Sequence, residues 1–242
     1  MVEDYTRRFA TQEAVTEYLN LYDEDAHNYA NVLHRIELTV LDSLLEPVST
    51  GDLEYLDFAT GTGRIIAHLE ARFASSTGID ISPQMIAACS KRSSVSRLRC
   101  EDITSTSPDA QYDVITAFRF FLNANAELRV AVLCAIRDRL KPGGKLVVNN
   151  HGRFAGVNFL RAIRSALGRK TKQNVMTDKS FETMFTAVGF SISGRRYYGV
   201  LGGKLGKLLG YDRSMRIERK LLGGQLARWL GTCVIYEFRL PH

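Results

Sequence analysis

Between residues 55 and 148, short apolar runs of strand length alternate with helical patterns, and this alternation limits the fold more than any other feature of the chain. Residues 55–59, 76–79, 97–100, 112–117 and 145–148 read as strands. Between them, Ile65, Ile66, Leu69 and Phe73 fall on one helical face, Ser82-Pro83 is a helix start, and Asn125 can cap a helix that ends near Leu140. Strands joined by helical crossovers pair in parallel, so the pattern predicts βαβ units and a doubly wound, mostly parallel α/β sheet. Two later strand patterns, residues 190–197 and 232–238, bring the count to seven and suggest an antiparallel edge.

The flanks complete a single domain over residues 1–242. Residues 1–50 form an N-terminal helical cap: Thr11 can cap a helix carrying Val15, Leu19 and Tyr22, and Leu33, Ile36, Val40, Leu41 and Leu44 repeat at helical steps. Pro47 to Gly51 breaks that pattern. Residues 52–151 are the ligand-binding core, and residues 152–242 an acceptor-side region. In the latter, residues 159–167 look helical and basic, Thr177-Asp178 can cap a helix reaching Val188, and an insertion of two basic amphipathic helices spans about residues 199–231.

Open α/β sheets bind ligands beyond the carboxyl ends of their strands. The first strand ends in Asp57-Phe58-Ala59-Thr60-Gly61-Thr62-Gly63-Arg64, where Gly61 and Gly63 allow a tight turn and close backbone approach. The next helix aims free N–H groups at the same place. Asp80 ends the second strand, where a carboxylate can accept both hydrogen bonds of a ribose diol. Asp102 ends the third, within reach of an exocyclic amine. Leu140-Lys141-Pro142-Gly143-Gly144 precedes the fifth strand.

In this order and spacing the motifs resemble those of the class I S-adenosylmethionine-dependent methyltransferases, in detail over roughly residues 20–150. The family's glycine-rich motif matches residues 56–64, its ribose acid Asp80, its adenine-side acid Asp102, and its frequent LKPGG turn Leu140 to Gly144. Residues 22–29 resemble the YDxxAxxY segment of its small-molecule members. The resemblance implies S-adenosyl-L-methionine as cofactor, held by Tyr29, Asp57, Ala59, Thr60, Gly61, Gly63, Asp80, Ile81, Met85, Asp102, Ile103 and Phe118, with Tyr29 over its methionine end. A nicotinamide-binding protein would usually carry Gly or Ala five residues after Gly61, where Ile66 stands.

Absences narrow the acceptor. Thr116-Ala117-Phe118-Arg119 lacks the Asn-Pro-Pro-Tyr pattern of DNA amine methylation and the Pro-Cys nucleophile of cytosine C5 chemistry. Ala117-Phe118 and Asn149-Asn150, at the ends of the fourth and fifth strands, offer no carboxylate for magnesium, so no metal is expected. His151 lies just beyond the fifth strand, placed and poised as a general base for oxygen methylation. Arg119 could pair with a phosphate or carboxylate of the substrate, and Asn150 could add a polar contact.

Charge separates the halves. Residues 1–151 hold 15 Lys+Arg against 21 Asp+Glu, and residues 152–242 hold 17 against 5. In the insertion, leucines and Trp229 alternate with Lys and Arg, a pattern that suits peripheral membrane contact, a dimer face or a covered sheet edge. Nucleic acid is disfavoured because the stripes are aliphatic. The sequence therefore reads as a methyltransferase acting on a small or medium acceptor, at oxygen of a glycan or lipid-linked intermediate. The alternatives are an RNA methyltransferase using the basic half and a non-catalytic cofactor-binding partner subunit. Four cysteines without a CxxC pair predict reduced, buried thiols and a cytoplasmic setting, and no secretory signal is visible.

Overall fold

The structure is a computed structural model and describes residues 11–22, 27–45, 51–151 and 176–241. Seven strands form one sheet in the order β3-β2-β1-β4-β5-β7-β6. They are β1 (Glu54–Phe58), β2 (Ser75–Asp80), β3 (Arg97–Cys100), β4 (Tyr112–Ala117), β5 (Leu140–His151), β6 (Ser191–Tyr198) and β7 (Cys233–Arg239). The first five pair in parallel, and β7 inserts between β5 and β6 antiparallel to both. The order reverses between β1 and β4, the switch point at which such sheets bind ligands.

Both sheet faces are covered, and neighbouring strand residues serve opposite cores. Leu56, Ile115, Leu146, Tyr236 and Phe238 join the aromatic cluster with Phe181 and Phe185. Tyr55, Val114, Val147 and Ile235 join the aliphatic cluster with Val32, Ile36, Val40 and Leu41. A strand's two-residue period makes this division automatic. Phe185 stacks on Phe238 at 4.2 Å between ring centroids, which fixes the helix Asp178–Ala187 against the antiparallel strands.

The helices are α1 (Gln12–Leu21), α2 (Tyr29–Leu45), α3 (Ile66–Leu69), α4 (Pro83–Cys89), α5 (Ala126–Arg139), α6 (Asp178–Ala187), α7 (Gly202–Leu209), α8 (Tyr211–Leu221) and α9 (Gln225–Leu230). The expected caps form: the side chains of Ser82, Asn125 and Thr177 accept from the backbone N–H of Met85, Leu128 and Ser180.

Several expectations change. The helix expected from Arg64 to Phe73 is a single α turn followed by a 3₁₀ turn at Glu70–Arg72. Here Glu70 leaves the helical pattern to accept from the backbone N–H of Ser94 and Ser96, which fastens the chain before β3. The Leu140–Gly144 turn is a bulged start of β5, with Leu140 already paired to Tyr112. The insertion holds three helices rather than two. Against the expectation of buried thiols, Cys100 is exposed, because β3 lies at the sheet edge, and Cys134 of α5 is half-buried. The helix expected over residues 159–167 lies outside the described residues.

Candidate functional site

The loop after β1 is held from below by Asp57. Its Oδ1 accepts from Thr116 Oγ1 at 2.6 Å and its Oδ2 from Thr60 Oγ1 at 2.8 Å. Burial pushes this carboxyl up to about 6, against the two hydroxyl donors. Asp57 thus ties the loop to β4. Above it, Ala59, Gly61 and Gly63 adopt φ of 54°, 55° and 82°. At Gly63 a Cβ would stand 2.8 Å from Cys89 Sγ, so glycine is what allows α4 to pack on the loop.

Asp80 closes the loop from the other side. Its Oδ2 accepts from Gly61 N–H and its Oδ1 from Ser82 N–H, each at 2.9 Å. Burial raises its pKa against those donors. Each oxygen keeps a lone pair for a further donor, which is what a ribose diol requires. Thr62 Oγ1 is buried without a hydrogen-bond partner among the described residues. Asp102 accepts from Thr104 N–H at 2.9 Å and from the Thr104 hydroxyl at 2.7 Å, in a turn that shapes the end of β3. Met85, Ile103 and Phe118 are buried, whereas Ile81 is exposed. Met85 packs with Val15 of α1, so the N-terminal cap reaches the loop's flank.

Across the strand ends lies a second group that the sequence did not announce, centred on Glu37 of α2. This carboxylate is fully buried. Its Oε1 accepts from Tyr198 OH at 2.8 Å, Asn149 Nδ2 at 3.1 Å and the Arg119 guanidinium at 3.2 Å. His151 Nε2 lies 3.5 Å away, and Arg64 and His34 each approach to 3.8 Å. Tyr22 covers the far side: its hydroxyl accepts from Arg119, and its ring lies 4.2 Å below the Arg64 guanidinium. Burial alone would raise the Glu37 pKa, but the Arg119 charge, His151, His34 and Arg64 hold it well below the carboxylate range.

The histidines split. Burial lowers His34 to about 4 despite Glu37. Burial acts the same way on His151, but the Cys233 sulfur and the Glu37 carboxylate carry it up to about 9. His151 is therefore an imidazolium at neutral pH and a base only as pH approaches 9. Arg119 is 19% exposed at its side chain and stands at φ 63° with its N–H on Asn149 Oδ1. Its Nε is buried without an acceptor among the described residues.

Two expected site residues make internal contacts that the sequence did not indicate. Tyr29 is committed to the C-terminal helices: its hydroxyl donates to Glu218 at 2.6 Å and accepts from Gly202 N–H at 3.1 Å. Its ring occupies the space a side chain at position 206 would need. Tyr22, from the same segment, is the tyrosine that meets Arg64 and Arg119. Asn150 is fully buried and donates to the Met176 carbonyl at 3.0 Å, so it anchors the chain leading to α6 rather than lining an open pocket. Sequence reasoning missed Glu37, Asn149, Tyr198 and Arg64. Glu37 carried a legible signal, since it sits four residues after Leu33 and four before Leu41, an acid within an apolar stripe.

Beside this network a cavity of about 490 Å³ is lined by Tyr22, His34, Arg35, Gly63, Arg64 and Arg92, among others. That is room for a small molecule.

A methyltransferase-domain family model matches residues 56–146. A search of curated protein sequences finds no match. Solved structures do match. Magnesium protoporphyrin IX methyltransferase from Synechocystis PCC 6803 with bound SAH aligns at TM-score 0.70 and 13% identity, over 98% of this chain and 100% of that one. The N-methyltransferase NodS from Bradyrhizobium japonicum WM9, in complex with S-adenosyl-L-homocysteine, aligns at TM-score 0.61 and 17% identity, over 100% of this chain and 98% of that one. A complex of the Haloferax volcanii Trm112 methyltransferase activator with a methyltransferase aligns at TM-score 0.63 and 16% identity, over 100% of this chain and 98% of that one. At these identities the likeness is one of fold.

Proposed function

We propose that this chain, whose residues 56–146 match a methyltransferase-domain family model, is a class I S-adenosylmethionine-dependent methyltransferase that methylates oxygen on a glycan or lipid-linked intermediate met at a membrane surface. The residues present fit the cofactor. Gly61 and Gly63 open the loop, Asp80 offers two carboxylate oxygens with free lone pairs, and Thr62 holds an unsatisfied hydroxyl. Bound S-adenosyl-L-methionine supplies a methyl group on a sulfonium leaving group. What remains for the protein is alignment and exclusion of water. α2 and the Tyr22 ring wall the strand ends, and Glu37 holds Arg119 and His151 where an acceptor would be oriented. His151 can take a proton from an acceptor hydroxyl once it is itself neutral, so its contribution as a base grows as pH rises toward 9.

The observation that carries the acceptor class is the surface of α7 and α9. Leu205, Leu208, Leu226, Trp229 and Leu230 are exposed there, with Leu208 at 81% and Trp229 at 75%. Lys204, Lys207 and Arg228 are exposed beside them. Apolar side chains interleaved with cations suit the boundary of an anionic leaflet, where each cation adds about 1 kcal/mol. No helix among the described residues is long and apolar enough to cross a membrane, so contact of this kind would be peripheral.

Liposome co-sedimentation tests the reading. Binding should require anionic lipid, weaken with salt, and fall when Trp229 and Leu230 are changed together to Ser. Absence of binding to anionic vesicles, or binding indifferent to the double substitution, would remove the membrane-borne acceptor. Separately, failure of the chain to bind S-adenosyl-L-homocysteine would remove the methyltransferase reading itself.

A further inference from the structure

The cavity beside the Glu37 network has a charge character that methyl transfer alone does not explain. Arg64 and Arg92 line it, and among the described lining residues there is no Asp or Glu. His68 also lines it, with its Nε2 2.9 Å from an Asp42 oxygen that Arg72 meets at 3.0 Å. Arg64 is only loosely offset. Its nearest carboxylate, Glu37, lies 3.8 Å away and is shared with Arg119, which approaches to 3.2 Å. One buried carboxylate therefore serves two guanidinium groups, and the balance is positive even with His34 neutral. Uncompensated positive charge at a half-enclosed site attracts an anion strongly, because the local dielectric is low.

Position adds to this. Tyr22, His34 and Arg64 belong to both the cavity wall and the network. Arg64 directly follows Gly63 of the ligand-side loop. The other wall residues come from α2, from α3 and from Arg92 beyond α4. Neither Asp80 nor Asp102, the residues fitted to the nucleoside, lines the cavity, while Tyr22 of its wall accepts from Arg119.

We propose that this cavity is the recognition site for an anionic group, a phosphate or carboxylate, carried by the acceptor, with Arg64 and Arg92 as its charged contacts and Glu37 as the positioning residue that shares Arg64 with Arg119. The proposal rests on the methyltransferase reading for the identity of the ligand as acceptor. The planar guanidinium suits either anion, since both offer two oxygens at matching spacing.

Isothermal titration on the full chain saturated with S-adenosyl-L-homocysteine tests it, using inorganic phosphate, glucose 6-phosphate, glucuronate and glucose as probes. At least one anionic probe should bind saturably, and glucose should bind at least tenfold more weakly. Arg92→Ser, outside the Glu37 network, should weaken the anionic probe at least tenfold and leave S-adenosyl-L-homocysteine affinity unchanged. Phosphate against glucuronate distinguishes the two anions. The proposal is overturned if no anionic probe binds, if glucose binds equally, or if Arg92→Ser has no effect. It is also overturned if the anion competes with S-adenosyl-L-homocysteine, because the site would then be the cofactor's own. Loss of S-adenosyl-L-homocysteine binding in the unaltered chain would instead strike the methyltransferase reading.

Discussion

Asp80 shows how one side chain can serve fold and ligand together. Its two oxygens already accept from Gly61 and Ser82, so it bridges the loop after β1 to the start of α4. A ribose diol would use the remaining lone pairs. Asp80→Ala should therefore weaken S-adenosyl-L-homocysteine binding by about 1–3 kcal/mol, the range for loss of hydrogen bonds to a charged acceptor. Titration calorimetry reads this directly, and unchanged affinity would take Asp80 out of the site. Ala59 stands at φ 54°, where a β-carbon is disfavoured, and neighbouring Gly61 and Gly63 share the left-handed geometry. Asp57 and Asp80, gripping the loop from two sides, hold that conformation. These residues were legible because a turn after a strand and an acid at a strand end need only local sequence. Glu37 was less so, since apart from His34 on its own helix its partners come from β5, β6 and the loops after β1 and β4, between 27 and 161 positions away along the chain.

At the scale of elements, the C-terminal insertion is fastened by a polar clamp. Glu218 of α8 accepts from the backbone N–H of Gly199, Val200 and Leu201 at 2.9–3.1 Å, and from Tyr29 of α2. Gly206 of α7 then lets the Tyr29 ring lie directly on the helix backbone. A leucine there would displace the ring and break the Glu218 contact. Overpacking of this kind costs about 1–3 kcal/mol. Gly206→Leu should lower the melting temperature measurably while leaving the strand-end residues intact. A variant as stable as the parent would mean that α7 is not seated on Tyr29. The sequence marked this segment as amphipathic but predicted two helices, because the Gly223-Gly224 break between α8 and α9 sits inside one continuing leucine pattern. It did not show that Tyr29 meets Glu218 and Gly202, since a motif match carries no information about which neighbour a side chain turns toward.

At the scale of the molecule, the buried network sets the dependence of stability on pH. His151 is raised from 6.5 to about 9, so its contribution is complete below pH 6.5 and is lost as pH climbs through 9. His34 is lowered from 6.5 to about 4, so the cost of protonating it appears as pH falls from 6.5 toward 4. Asp57 is raised from 3.8 to about 6, which withdraws stability as pH rises across that interval. Thermal melts should thus show greatest stability near pH 6–7 and a decline toward pH 9. His151→Gln should flatten the alkaline limb, and an unchanged limb would show that the raised His151 is not its source. The sequence by itself determined the sheet, its helical crossovers, the caps and the loop acids, because strand and helix periodicities and turn chemistry act over a few residues. It also separated the basic C-terminal half from the acidic core. Only the tertiary structure decided that β7 enters between β5 and β6, that Tyr29 faces α8, that the His151 pKa is raised, and that Glu37 joins α2 to β5, β6 and the loops after β1 and β4. Those outcomes depend on which groups burial brings within a few ångströms, and burial is a property of the packed chain.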